Sequence, residues 1–202
     1  MKISLRTIIS IILISTIMMS TSSRTMEEVQ KYESGAVLEL ASGGEMRVVD
    51  LGDEIVNEEC DFILSEIITL DMDQREMAYA IYQWVEKNIR YSGNTIKGDA
   101  LRGAKLTFAK RTGDCYSFCS ALWALLNRIG IDTIDVTGED DYHFWVISKI
   151  DGEWYYLDAT TGWGSERFML TEKELEDFIY LYNKGRDSLT YEWDKSKYPK
   201  TP

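Results

Sequence analysis

Hydrophobic residues recur at helical spacing in several parts of the chain. Residues 54–69 carry one apolar face and predict a helix, and a second helix, capped by Asp71 or Asp73, is predicted to run to about Ile89. A third helix is predicted from Cys115 to about Arg128, and its buried face consists of Phe118, Leu122, Leu125, Leu126 and Ile129. Between the second and third helices, residues 92–104 contain three glycines and predict a long loop.

The pattern changes to that of strands after the third helix. Residues 131–137 predict one strand, and residues 143–149 and 153–159 predict a hairpin. Asp151-Gly152 stands between the two hairpin strands, and Asp-Gly is favoured in two-residue turns because both turn positions need a positive φ. Helices followed by a run of antiparallel strands predict an α+β fold rather than alternating parallel units.

Two shorter features flank these elements. Residues 36–49 predict an N-terminal hairpin that turns at a Gly-Gly pair. Near the other end of the chain, Thr171 and Glu174 form a capping box, which predicts a short helix to about Tyr182.

The predicted hairpin brings two ionisable residues together. With the turn centred on Asp151-Gly152, Trp145 faces Asp158 across the hairpin. Residues two apart on a strand share a face, so His143 lies on the face of Asp158, diagonally adjacent and within side-chain reach. His143 is the only histidine in the chain. A base and a carboxylate that orients it are therefore expected on one face of the sheet.

Cys115 stands at the first turn of the clearest helix, after what we interpret as a turn at Gly113. Unpaired N–H groups and the positive end of the helix dipole favour a thiolate at this position. The same N–H groups can stabilise a developing oxyanion. Cys115 also lies on the buried face of its helix, so its thiol points toward the sheet. Cys115, His143 and Asp158 thus form a candidate nucleophile, base and orienting residue for covalent acyl transfer.

The chain resembles the transglutaminase-like superfamily in three short segments, which are Gly-Asp-Cys-Tyr at 113–116, His-Phe-Trp-Val at 143–146 and Trp-Tyr-Tyr-Leu-Asp-Ala-Thr at 154–160. Residues 82–91 also resemble the helix that precedes the nucleophile in this family. The resemblance covers roughly residues 73–162. It implies a papain-like arrangement, in which the nucleophile helix packs against an antiparallel sheet.

The same resemblance implies roles for individual residues. It assigns Cys115, His143 and Asp158 to a catalytic triad, and Tyr91 is our candidate for the aromatic residue that completes the oxyanion site. Members of the family include transamidating enzymes, cysteine peptidases and inactive binding proteins. The reaction itself therefore stays open at this point.

The composition of the chain limits the kinds of molecule that it is expected to bind. The formal net charge is −12 and the acidic residues are spread along the chain, which disfavours nucleic acid as a partner. One histidine and no Cys-x-x-Cys pair disfavour a zinc site, and we expect neither a metal nor an organic cofactor. We interpret Cys60 and Cys119 as buried structural residues and leave open whether they pair. The expected partner is a protein or peptide substrate, and a cell-wall peptide is a further option.

We therefore expect a secreted cysteine-dependent acyl-transfer enzyme that acts on peptide or side-chain amides through a thioester. A cysteine peptidase or amidase, and a non-catalytic cell-surface binding module, are the alternatives. The expected organisation is a signal peptide at 1–22, a hairpin and helix extension at 23–70, the catalytic core at 71–165, and a C-terminal helix and tail packed on the core at 166–202.

The N-terminal segment has the pattern of an export signal. Lys2 and Arg6 form a basic start, residues 8–19 form an uncharged and mostly apolar run, and residues 20–23 are serine and threonine. The apolar run is too short to cross a bilayer comfortably. We expect cleavage near Ser22. Because an Ala-x-Ala site is missing, an uncleaved membrane anchor is the alternative, and it is the only membrane contact that we expect.

N-terminal sequencing of protein recovered outside the producing cell is expected to begin near Ser23, since the small residues after the apolar run suit a signal peptidase. Recovery of the full-length chain only from detergent-extracted membranes would contradict cleavage and favour the anchor.

Overall fold

The computed structural model describes residues 35, 37–39, 45–93, 95–139, 143–162, 164–184 and 192–202. The chain divides into two units, Met1–Glu33 and Ser34–Pro202, and every described residue belongs to the second unit. The expected signal segment at 1–22 lies outside the described residues. Across the described ranges, no helix is both long enough and apolar enough to span a membrane.

The described residues form five α-helices and seven strands. The helices are α1 (Glu54–Ile67), α2 (Gln74–Asn88), α3 (Ala100–Lys110), α4 (Cys115–Arg128) and α5 (Glu172–Asn183). The strands are β1 (Val37–Glu39), β2 (Glu45–Arg47), β3 (Arg90–Tyr91), β4 (Thr112–Gly113), β5 (Thr133–Thr137), β6 (Phe144–Ile150) and β7 (Glu153–Leu157). A short 3-10 helix follows at Lys195–Lys197.

The strands form three small sheets. β1 and β2 are an antiparallel pair, β3 and β4 are a parallel pair, and β5-β6-β7 is an antiparallel three-stranded sheet. Helices mostly precede this last sheet along the chain, so the α+β prediction is confirmed.

Helix α4 lies at the centre of the fold. It packs against α1, α2 and α3 and also against β5 and β6. Twelve of its residues are buried, which explains why the hydrophobic pattern of the sequence predicts this helix so clearly. A fully buried Leu or Phe side chain contributes about 1.5–3 kcal/mol relative to its exposed state, so the burial of this helix is a major source of stability.

Strand β6 is buried on both faces. Phe144 contacts the ring of Tyr116 on α4, at 5.3 Å between ring centroids. The alternate residues Trp145 and Ile147 belong to a cluster that includes Leu175 of α5 and Trp193. The sheet is therefore covered by α4 and by the C-terminal part of the chain, which is why β6 shows a continuous apolar run rather than strict alternation.

The prediction of a loop over residues 92–104 is wrong in its second half, where α3 begins. Asp99 caps this helix by accepting a hydrogen bond from the Arg102 N–H at 2.8 Å. Gly103 is a packing residue: a Cβ at this position would lie 2.1 Å from Ser120 Oγ and 2.8 Å from Tyr116 Cζ. The glycine that suggested a loop is what allows α3 to approach α4.

Replacing Gly103 with Ala is expected to lower the free energy of unfolding. The added methyl group would clash with α4, and overpacking of this kind costs about 1–3 kcal/mol, more than the ~1 kcal/mol that Ala gains over Gly inside a helix. Chemical denaturation gives the measurement. Gly93→Ala is the matched control, because nothing lies within 4 Å of its Cβ position; equal stabilities for the two variants would contradict this account of α3.

Candidate active site

Cys115 is the first residue of α4 and is 7% exposed. The parallel pairing of β3 with β4 places Tyr91 beside Gly113, two residues before the thiol. Gly113 lies in strand β4, so the turn inferred from the sequence at this glycine is wrong. The glycine is needed instead for close packing, since a Cβ there would lie 1.9 Å from Ser117 Oγ.

Asp114 occupies the N-cap position of α4 but makes no side-chain cap hydrogen bond. Its carboxylate accepts hydrogen bonds from the Thr95 N–H, at 3.0 Å, and from the Lys97 ammonium. Burial opposes ionisation of Asp114. The hydrogen bonds from Lys97 and Thr95, together with the charge of Lys97, outweigh it and hold the pKa of Asp114 below its ordinary value. The Ser117 N–H donates to the Asp114 carbonyl oxygen at 2.9 Å. Because the Asp114 side chain does not cap α4, the N–H groups of Cys115 and Tyr116 are left for another acceptor.

His143 and Asp158 lie side by side, with 2.8 Å between His143 Nε2 and Asp158 Oδ2. Val146 pairs with Leu157, and one further step along the hairpin puts Trp145 opposite Asp158, so the predicted register is confirmed. The turn has the predicted geometry as well, with φ of 53° at Asp151 and 87° at Gly152. Both side chains of the pair are only 3% exposed.

The environment of His143 favours its charged form. Burial alone would lower the pKa, but the charge and hydrogen bond of Asp158 and the hydrogen bond with Cys115 raise the pKa of His143 to about 9. Since Nε2 lies against Asp158, Nδ1 is the ring nitrogen that faces the thiol. The stability that this raised pKa contributes is complete below the ordinary histidine value of 6.5 and is lost as the pH rises through about 9.

Asp158 has a second cationic neighbour, Arg167, which the sequence did not reveal. Arg167 Nε lies 3.2 Å from the same Oδ2 atom that meets His143, and the Thr160 N–H donates to Oδ1 at 2.9 Å. Burial opposes ionisation of Asp158, but the charges of His143 and Arg167 outweigh it and hold the pKa of Asp158 below its ordinary value. No periodicity or motif marks a single arginine in a loop, so sequence reasoning had no signal for it.

Tyr82 on α2 is another contact that the sequence did not assign to the site. Its hydroxyl donates to the Asp158 carbonyl oxygen at 3.3 Å and accepts a hydrogen bond from the Arg167 N–H at 3.2 Å. Its ring is buried. Tyr82 therefore ties the end of β7 and the Arg167 segment to α2.

Tyr91 lies near the thiol and is the most exposed of the candidate residues, at 51%. Its ring centroid is 6.3 Å from that of Phe118 on α4. Partial burial, followed by the charges of Cys115 and Asp114, raises the pKa of Tyr91 above its ordinary value. The phenol is therefore protonated at neutral pH and can donate a hydrogen bond.

The other two cysteines lie in apolar surroundings. All three cysteines are free thiols, so Cys60 and Cys119 do not pair. Cys119 Sγ donates to the Trp145 carbonyl oxygen at 2.9 Å. Burial raises the pKa of both Cys60 and Cys119, which keeps these thiols neutral. Of the three, only Cys115 contacts the histidine.

Comparison with known proteins shows which family the central part of the chain matches. The model of the transglutaminase-like superfamily matches residues 62–159. These residues form a transglutaminase-like domain. The match includes Cys115, His143 and Asp158, and members of this superfamily are generally cysteine enzymes, either proteases or transglutaminases. No curated protein matches the sequence significantly.

Two solved structures are similar to the chain. One, from Cytophaga hutchinsonii and assigned as a cysteine protease, is 17% identical with a TM-score of 0.42, and the match covers 59% of this chain and 40% of that one. The other, a TGase, is 12% identical with a TM-score of 0.41, and the match covers 89% of this chain and 44% of that one. The chain thus spans less than half the length of either solved chain.

The transglutaminase-like domain contributes the nucleophile helix and the hairpin, whereas Arg167 lies beyond the matched range. Within the described residues, no group of three or more His, Cys, Asp or Glu side chains lies close enough to hold a metal ion. The chemistry that the geometry offers is that of a thiol in contact with an imidazole that is hydrogen-bonded to a carboxylate.

Iodoacetamide at mildly acidic pH is expected to modify Cys115 before Cys60 and Cys119. Alkylation requires the thiolate, and burial raises the pKa of Cys60 and Cys119. Cys115 instead lies at the start of α4 and shares a hydrogen bond with His143. Peptide mapping of folded protein identifies the labelled residue. His143→Ala should slow the labelling of Cys115 at low pH, because the imidazolium partner is lost.

Equal labelling of all three cysteines, or preferential labelling of Cys60, would contradict this assignment and make Cys115 an ordinary buried thiol. A control digest of unfolded protein fixes the intrinsic detectability of each peptide.

Proposed function

We propose that this protein is an exported cysteine-dependent enzyme that transfers acyl groups from peptide or side-chain amides through a thioester at Cys115. The observation that carries the proposal is the contact between a thiol at the start of α4 and a buried His143–Asp158 pair. Membership of the core in the transglutaminase-like superfamily supports the same chemistry.

In the first step, the Cys115 thiolate attacks the amide carbonyl carbon while His143 carries the thiol proton. The carbonyl oxygen becomes an oxyanion, and its proposed donors are the N–H groups of Cys115 and Tyr116, which the Asp114 side chain does not cap. The hydroxyl of Tyr91 is our candidate second donor. Removal of one such donor from an oxyanion site costs about 3–4 kcal/mol in known enzymes.

In the second step, the C–N bond breaks and His143 Nδ1 donates its proton to the leaving amine. The acyl group remains on Cys115 as a thioester, and His143 is now neutral. Asp158 holds the ring through Nε2, so that Nδ1 continues to face the reacting atoms. A water molecule or a primary amine then attacks the thioester, His143 takes a proton from it, and the thiol is released.

The acceptor decides whether the enzyme hydrolyses or transamidates. Both reactions share the thioester and differ only in the second nucleophile, so one set of residues serves either. The substrate is proposed to be a protein or peptide. Export is proposed from the basic, apolar and serine-rich pattern of residues 1–22.

Intact-mass spectrometry after incubation with a glutamine-bearing protein and a primary amine tests the proposal. Mass gain by one amine with loss of ammonia indicates transamidation, and cleavage or deamidation indicates hydrolysis. Cys115→Ala is expected to abolish either product, because no other described thiol contacts a histidine. Cys119→Ala, one helical turn away, is the matched control and should retain turnover.

If Cys115 is labelled selectively but the protein produces neither transamidated nor hydrolysed substrate, the enzymatic proposal is contradicted and a binding module is favoured. Equal turnover by Cys115→Ala would remove Cys115 as the nucleophile.

A further inference from the structure

Arg167 is a buried cation that shares one carboxylate oxygen with the histidine of the site. Its side chain is 3% exposed, as are those of His143 and Asp158. Arg167 Nε and His143 Nε2 lie 3.2 Å and 2.8 Å from Asp158 Oδ2. Asp158 therefore divides its charge between two cations rather than serving His143 alone.

The remaining donors of Arg167 are held by the backbone around it. Nη1 donates to the Ser165 carbonyl oxygen at 2.8 Å, and Nη2 donates to the Thr160 carbonyl oxygen. The guanidinium carbon lies 5.5 Å from the ring centroid of Phe178 on α5. These contacts fix the guanidinium plane against Asp158, so its charge acts from a constant position.

The charges of the site balance in both protonation states only because Arg167 is present. With a thiolate and an imidazolium, Cys115 and His143 cancel, and Asp158 cancels Arg167. With a neutral thiol and a neutral imidazole, Asp158 and Arg167 still cancel. Without Arg167, a neutral His143 would leave a buried carboxylate with no cation, which is a costly state in an apolar interior.

We propose that Arg167 is a positioning residue that keeps Asp158 ionised throughout the reaction and offsets part of the stabilisation that Asp158 gives the His143 imidazolium, so that His143 can release its Nδ1 proton to the leaving amine. This inference rests on the proposed function, in which His143 is the proton carrier.

Among the described residues, three other titratable groups lie around His143 and Asp158. Cys115 contacts His143 from α4, Cys119 lies one turn further along the same helix, and Tyr82 faces Asp158 and Arg167 from α2. Burial first, and then nearby charges, raise the pKa of Cys119, and burial raises the pKa of Tyr82 to about 12. Both stay neutral near pH 7, so Arg167 is the permanent cation beside Asp158.

The single histidine of the chain makes a direct test practicable, because nitrogen-15 NMR of the imidazole then reports one residue without assignment ambiguity. We would titrate His143 in a Cys115→Ala background, which removes the thiol and any turnover. Adding Arg167→Gln is expected to raise the titration midpoint by about 1 pH unit or more, since a like charge near the imidazolium is lost. Arg167→Lys keeps the charge and should leave the midpoint close to that of the background.

Arg128→Gln is the matched control. Arg128 is also 3% exposed and also pairs with a carboxylate, Asp61, at 2.7 Å, but it lies at the opposite end of α4 from Cys115. A purely structural loss should affect both glutamine variants, whereas only Arg167→Gln should move the midpoint. An unchanged or lowered midpoint in folded Arg167→Gln would overturn the inference.

If Arg167→Gln does not fold, we would titrate the double variant Asp158→Asn/Arg167→Gln instead, in which both charges of the ion pair are removed. Asp158→Asn alone leaves Arg167 unbalanced beside His143 and should lower the midpoint below the background value. The double variant should restore part of that loss, and equal midpoints for the single and double variants would overturn the inference. Because no turnover is measured, a failure of the acyl-transfer assay leaves these titrations unaffected, and the two proposals can fail separately.

Discussion

The burial of helix α4 is the constraint on which the rest of the structure depends. Three helices and two strands pack around it, and its first residue is the candidate nucleophile. A helix fixed along its length cannot rotate or slide, so the position of the Cys115 thiol is set by the core. The same packing explains Gly103 and Gly113, which are glycines because a neighbouring side chain of α4 occupies the space of a Cβ.

A site this deeply buried must solve an electrostatic problem. Isolated charges in a protein interior are costly, and a buried ion pair compensates for that cost only when its hydrogen bonds are well made. Here Asp158 accepts hydrogen bonds from His143, Arg167 and the Thr160 N–H, while Tyr82 binds its backbone. Asp158 is thus held by the residue before β6, by the segment after β7 and by α2. Charged chemistry is accommodated because the network is satisfied, not because water reaches it.

Local sequence signals predicted the elements and the register of the hairpin. Asp151-Gly152 fixed the turn, and strand alternation then placed His143 beside Asp158. What local signals could not supply was information about contacts made far along the chain. Gly103 looked like a loop residue because the helix that requires it begins twelve positions later, and Arg167 carried no pattern because an ion pair with Asp158 imposes no periodicity on its own segment. Tyr82 lies in the segment that resembles the helix before the nucleophile, and nothing in that segment indicated its contact with Asp158.

Exposure falls steeply from the entrance of the site to its interior. Tyr91 is half exposed, Cys115 is nearly buried, and His143, Asp158 and Arg167 are buried. Under the proposed function, an acyl group would reach Cys115 past Tyr91, because Tyr91 is the exposed residue beside the start of α4 and His143 and Asp158 are buried. In the proposed reaction, water and an amine would then compete for the thioester on this exposed side, because the residues behind Cys115 are buried. Under the proposed function, selectivity between the two acceptors is therefore a property of the surroundings of Tyr91, whereas Cys115, His143, Asp158 and Arg167 act on the formation of the thioester.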